Sequence, residues 1–148
     1  MAGVDSPACG TQSDPCRNID YAVNKAAGDD WIRVAGGTYF FANVANDCVG
    51  VTPPSVVCVM NKSITIRGGY SATTANPTVI DGQNTYRGVY VHTPMAAPCS
   101  GCLPGVRLTM ADVTIQNGRA PEGGGMRVDG GQRADAAVTL EAVTFQDN

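Results

Sequence analysis

Histidine and tryptophan are nearly missing from this 148-residue chain: there is one of each, His92 and Trp31, beside three phenylalanines. A lone histidine gives no histidine-based metal cluster, and it falls short of a hydrolase face that needs several aspartates and a histidine together. Charge is also scarce. Ten Lys plus Arg stand against 13 Asp plus Glu, a net charge of −3. That balance excludes a basic surface for RNA, DNA or another polyanion. No stretch approaches the roughly 20 apolar residues of a membrane span, so membrane insertion is not expected. Met1-Ala2-Gly3 opens no basic segment followed by an apolar one. The expectation is a mature or recombinant portion whose export signal has been replaced by a start codon.

What is plentiful is glycine, threonine, valine and alanine, the composition of many short strands with frequent turns. Six cysteines fall into three local pairs: Cys9 and Cys16, Cys48 and Cys58, Cys99 and Cys102. Six allow many pairings, and these short closures are the simplest. They point to an oxidising, extracytoplasmic home, secreted or at the cell surface. The alternatives are weaker. CSGC has half the spacing of a zinc site but no second CxxC follows. A redox pair belongs at a helix start after a strand, whereas CSGC lies in the proline-broken HTPMAAPCSGCLPG.

The chain divides at about residue 30. Residues 1–30 hold an N-terminal segment and one helix, expected over about three turns of SDPCRNIDYAVNKAAGDD. There Asp14 is the expected N-cap, Pro15 the first helical residue and Gly28 the C′ residue. Residues 31–148 read as strands punctuated by glycine: WIRVAGGTYFF, SITIRGGYS, TVIDGQN, RGVYVHT, VRLTMADVTIQNG, GGGMRVDGG and AVTLEAVTFQDN. NVANDCVGVTPPSVVCVMN and HTPMAAPCSGCLPG read as projecting loops, each with a disulfide staple.

Two of these phrases repeat. Leu108–Gly118 overlies Val138–Asn148 at an offset of 30, matching Thr109 with Thr139, Val113 with Val143, Thr114 with Thr144 and Gln116 with Gln146. RGVYV and GMRV recur at an offset of 37 between Gly88 and Gly125. Repeats of this length, built from very short strands, suit a solenoid whose rows bury their apolar residues only by stacking. Within a row, Leu108, Met110, Val113 and Ile115 are expected to point inward and Thr109 and Thr114 outward, with a bend at Ala111-Asp112. The glycines of GGGM serve that geometry, by positive φ or close backbone approach. A phosphate loop would need a Walker lysine and hydroxyl, or GxGxxG between strand and helix, and neither is present.

PCRNIDYAVNKAAGDDWIRVAGGTY, SITIRGGYS, TVIDG and VRLTMADVTIQNG together resemble a right-handed parallel β-helix of the pectate-lyase-like type, common in secreted and cell-surface proteins. GGGM followed by FQDN is similar to the GGA[I/L] and FxxN repeats of polymorphic outer-membrane and adhesin-type proteins, with Phe145 and Asn148 at the fixed positions. The resemblance spans about Cys9 to Asn148. It implies an all-β solenoid with a short N-terminal capping helix, and an asparagine that hydrogen-bonds along the stack. It says little about function, because such folds carry lyases, hydrolases, adhesins and scaffolds alike.

The carboxylates Asp81, Asp112, Glu122, Asp129 and Glu141 are the candidates for acid–base chemistry. Asp81 in IDG, Asp129 in VDG and Asp112 at a bend are better explained as turn residues. No DxD accompanies Arg87, Arg107, Arg119, Arg127 or Arg133, and Ser100, His92 and Asp81 lack a nucleophile-elbow context. No catalytic residue, cofactor or metal ligand is assigned, and turnover is not expected. The aromatic residues Tyr39, Phe40, Phe41, Tyr70, Tyr86 and Tyr90 either stack on a surface glycan or close the core. The sequence stops at FQDN, where another coil should begin, so either the 31–148 coils are truncated from a longer protein or something else covers that end; in the second case the row of Val138, Leu140, Val143, Phe145 and Asn148 is the expected open stacking face. The expected function is a structural or adhesive module that meets another chain, or a copy of itself, end to end. The alternative is part of a carbohydrate-active protein, a polysaccharide lyase or glycoside hydrolase.

Overall fold

The computed structural model describes residues 3–42, 48, 50–70, 76–93, 105–130 and 135–148. Among these residues one helix, α1 (Ile19–Lys25), precedes eleven strands. These are β1 (Trp31–Arg33), β2 (Gly37–Tyr39), β3 (Ser55–Met60), β4 (Ile64–Arg67), β5 (Thr78–Asp81) and β6 (Arg87–His92). They continue as β7 (Val106–Ala111), β8 (Val113–Gln116), β9 (Met126–Asp129), β10 (Ala136–Glu141) and β11 (Thr144–Gln146). The protein is mostly β, and every strand pair is parallel.

The strands visit three sheets in rotation. The first sheet has the order β1-β4-β7-β10, the second β11-β8-β5-β2 and the third β3-β6-β9. The sequence repeats turn out to be hydrogen-bonding registers. Leu108 pairs with Val138 and Ile115 with Phe145, an offset of 30 (138 − 108; 145 − 115). Val89 pairs with Met126, an offset of 37 (126 − 89).

Alternation explains the core. Ile66, Leu108 and Met110 of the first sheet, Ile80 and Ile115 of the second, and Val57, Val59, Val89 and Val91 of the third belong to one buried cluster. Between them Thr65, Thr109 and Thr139 form an outward column in register, where β-branched hydroxyl side chains suit a wet strand face. Left-handed corners repeat with the strands: Asp112 (φ 55) recurs as Ala142 (φ 50), and Asn117 (φ 52) as Asp147 (φ 51). The glycine triplet serves both expected purposes. Gly123 has φ +58, and a Cβ on Gly125 would lie 2.9 Å from the Phe145 ring and from the Asn148 side chain.

The helix is shorter than its sequence suggested. Asp14 does not cap it; the N-cap is Asn18, whose side chain makes no capping bond. The Cys9–Cys16 disulfide holds the preceding residues in a loop, and the Asp5 carboxylate accepts the Arg17 and Asn18 amides at 2.8 and 3.0 Å. At the other end Ala26 is already extended, so Gly28 is not the C′ residue. The Lys62 ammonium instead donates to the Val23, Asn24 and Ala26 carbonyls at 3.1–3.3 Å, where a cation also complements the helix dipole.

A second correction concerns the segment read as a stapled loop. Its second half is β3, with Val57 and Val59 fully buried in the core. The other face is buried too: Cys58 packs with Cys48 and Tyr90, against Val51 and Met60. Cover on both faces erases the alternation that marks a strand. The Cys48–Cys58 disulfide is present as expected. Cys99, Cys102 and most of the second projecting loop lie outside the described residues.

Candidate functional site

Three inward columns of the protein end in an exposed residue. Ile66 and Met110 are 0% exposed, and Leu140, next in that column, is 43% exposed. Ile80 and Ile115 are likewise 0% exposed and Phe145 is 45%. In the third sheet Val59 and Val91 give way to Val128 at 43%. Among the described residues none packs on the outer side of β9, β10 and β11, and these side chains are exposed there. Val138 and Val143 are half-buried against the core. Asn148 is spent within the chain, its amide donating to the Ile115 carbonyl at 2.9 Å and its carbonyl accepting the Gly118 amide at 2.8 Å. It pins the last row to the one before. Leu140, Phe145 and Val128 thus form an apolar edge bordered by unpaired strand groups, a template for another strand.

The other end is built differently. α1 packs on β3 and sends Ile19 and Val23 into the core. Over the first sheet, a groove of about 860 Å³ runs between α1, the disulfide-closed segment around Cys9–Cys16, and β1. Trp31 to Ala35 line it in succession, with Ile19, Ala22 and Ala26 opposite and Tyr70 at the rim. Asp30 accepts from Thr65 and Val34 donates to Arg67. Alternate residues of a strand address opposite neighbours, so Trp31 and Arg33 turn their N–H and C=O groups into the groove. The Arg33 guanidinium lies 5.1 Å from the Tyr70 ring centroid. No sequence pattern announced this groove, because its walls come from separate stretches.

The carboxylates considered for acid–base chemistry are mostly engaged. Burial pushes the Asp81 carboxyl up, but hydrogen bonds from Gln116, the Gln83 amide and Asn117 outweigh it and hold its pKa below the ordinary value. Asp112 pairs with Arg67 at 3.0 Å. Glu122 and Asp129 share Arg127, at 2.9 and 3.2 Å. Asp129 also accepts the Tyr90 hydroxyl at 3.1 Å, and burial first, then Asp129, raises the Tyr90 pKa. Glu141 closes the register column Arg33–Arg67–Ala111–Glu141. Asp81 and His92 stand on different sheets, and Ser100 lies outside the described residues.

Of the aromatic candidates, Phe41 stacks on Tyr86 at 4.4 Å and both pack on the core; Tyr90 is buried, while Phe40 and Tyr70 are exposed. Arg87, weighed from the sequence only as one of several arginines that lack an accompanying DxD, is 1% exposed. Its guanidinium donates to the Gly123, Pro53 and Glu122 carbonyls at 3.2–3.3 Å and lies 5.2 Å from the Tyr90 ring centroid. Among the described residues no helix is long and apolar enough to cross a membrane, and no three His, Cys, Asp or Glu side chains cluster as metal ligands would. The two disulfides are those of a protein from an oxidising environment. No family model, no curated protein and no solved structure matches the chain.

Proposed function

We propose that the chain is a right-handed parallel β-helix module of a secreted or cell-surface protein, and that its function is structural or adhesive. Three parallel sheets visited in rotation, around one shared core, support the solenoid reading. The resemblance to pectate-lyase-like and adhesin-type repeats points the same way. The observation that carries the functional reading is the exposure of Leu140, Phe145 and Val128 at the ends of otherwise buried columns. Such an edge takes a further strand, whether from a continuation of the protein, from another chain or from another copy of itself. Solution mass by light scattering, followed over a wide concentration range, tests this. Reversible growth in mass is expected, abolished by the pair L140K and F145K, which places charge on the edge. A discrete wild-type monomer at high concentration overturns the reading.

A further inference from the structure

The edge of β1 that faces the groove has unpaired backbone groups. Towards β4, Asp30 accepts from Thr65, Val34 donates to Arg67, and Ile32 sits in register with Ile66. The N–H and C=O groups of Trp31 and Arg33 point the other way, and among the described residues none bonds to them. Such groups are what strand addition recognises: an extended peptide pairs with a sheet edge, and its alternate side chains supply specificity. On β3 the chain provides its own cover, the Cys58 amide donating to the Asp20 carboxylate of α1 at 2.8 Å. β1 receives no such bond, although the groove beside it is walled within the chain by α1 and the Cys9–Cys16 segment.

The side chains narrow what can pair there. Trp31 and Arg33 are exposed on the outward face of β1, while Ile32 between them packs on the core. A strand laid along β1 therefore turns the residue beside Ile32 inward, where Ile19, Ala22 and Ala26 line the groove, and holds the residues beside Trp31 and Arg33 on the wet face. Arg33 lacks a counter-charge. It stands in register with Arg67, and like charges in that position repel. Arg67 is paired with Asp112 at 3.0 Å, whereas Arg33 meets the Tyr70 ring and hydroxyl and, among the described residues, no carboxylate. An acidic side chain beside Arg33 relieves that repulsion. Beside Trp31 a β-branched or aromatic residue packs best on the indole.

We propose that the groove is a peptide-binding site whose ligand is an extended acidic segment of another protein, added to β1 as a parallel strand. The segment carries a β-branched or aromatic residue beside Trp31, an aliphatic residue beside Ile32 and a glutamate beside Arg33. Every strand pair in the protein is parallel, and the added strand continues that arrangement. The site is separate from the edge of β9, β10 and β11, so it does not depend on association there.

The test is heteronuclear NMR on the labelled protein, titrated with the terminally blocked peptide GTVEVG, whose threonine, first valine and glutamate take the three positions. Shifts and slowed hydrogen exchange at the Trp31 and Arg33 amides are expected. R33E changes an exposed side chain, with circular dichroism as the check on folding. It should weaken binding about fivefold or more, as expected for losing a solvent-exposed ion pair and installing a repulsion. The peptide GTVKVG should bind R33E to within about twofold of the original pairing, and added salt should flatten these differences. The peptide GTPEVG lacks the N–H that pairs with the Trp31 carbonyl and should bind about fivefold or more weakly. No shift at β1 up to millimolar peptide, a proline peptide that binds as well as GTVEVG, or a lysine peptide that fails on R33E overturns the proposal. Two further results also overturn it. Trp31 and Arg33 amides protected in dilute protein without peptide would show the chain's own residues pairing with β1. Protection that grows with protein concentration alone would make a second copy the occupant.

Discussion

Replacing Arg87 with methionine should destabilise the protein, although removing a buried charge often does the opposite. The balance follows from what surrounds the guanidinium. Burial, and then Arg127, lower its pKa, so the cation bears a real desolvation and repulsion cost. When a buried ion pair is replaced as a whole by apolar residues, relief of that cost makes the change neutral or stabilising. Here the partners are the backbone carbonyls of Pro53, Glu122 and Gly123, which no side-chain substitution removes. Each unsatisfied carbonyl costs about 1–3 kcal/mol when buried. Glu122 and Gly123 are exposed and Pro53 half-buried, so water recovers part of this and the lower figure applies. Three such losses, less the relief of the cation, leave about 2–3 kcal/mol, or roughly 5–10 °C in melting temperature for a chain of this size. Thermal and urea unfolding of R87M under non-reducing conditions measures it. Stability equal to or above wild type would refute the reasoning, showing that desolvation of the cation outweighs its three carbonyl bonds.

Other tests probe the corners of the sheets. Asp81 has a folded-state pKa below its unfolded value. Its contribution is therefore complete above the unfolded pKa, near 4, and disappears as pH falls through the folded one. D81N should cost about 1 kcal/mol at neutral pH by losing an acceptor, with the gap from wild type closing on acidification in urea titrations; a constant gap contradicts the assignment. Ala142 sits at φ 50, where its register mate Asp112 sits at φ 55. A142G should slow hydrogen exchange in β10 and β11, since relief of left-handed strain of about 1–2 kcal/mol exceeds the entropic cost of glycine. Faster exchange would show the corner to be unstrained.

The legible parts of the fold were those in which one face stays wet. The 30- and 37-residue offsets are visible because outward threonines alternate with inward aliphatics, and each offset proved to be a register. Leu140 and Phe145 could be placed on the open edge by that same alternation. β3 was hidden because SVVCVM is covered on both faces. The helix was overextended because Asp14-Pro15 carries a capping signature that the Cys9–Cys16 closure overrides. Arg87 could not be assigned because its acceptors lie 34, 35 and 36 residues away, far outside any local pattern. The β1 groove is assembled from residues between Cys9 and Tyr39 together with Tyr70, and only folding brings them to one place.

The spacing between paired strands in the first sheet is uneven: Trp31 meets Thr65 after 34 residues (65 − 31), Ile64 meets Leu108 after 44 (108 − 64), and Leu108 meets Val138 after 30 (138 − 108). The ladder nevertheless continues through all four strands. The length of chain between paired strands and their alignment are therefore independent variables. New segments can be grafted between strands without shifting the threonine column or the apolar columns beneath it, which makes the corners places where recognition can diversify while the frame keeps its pitch.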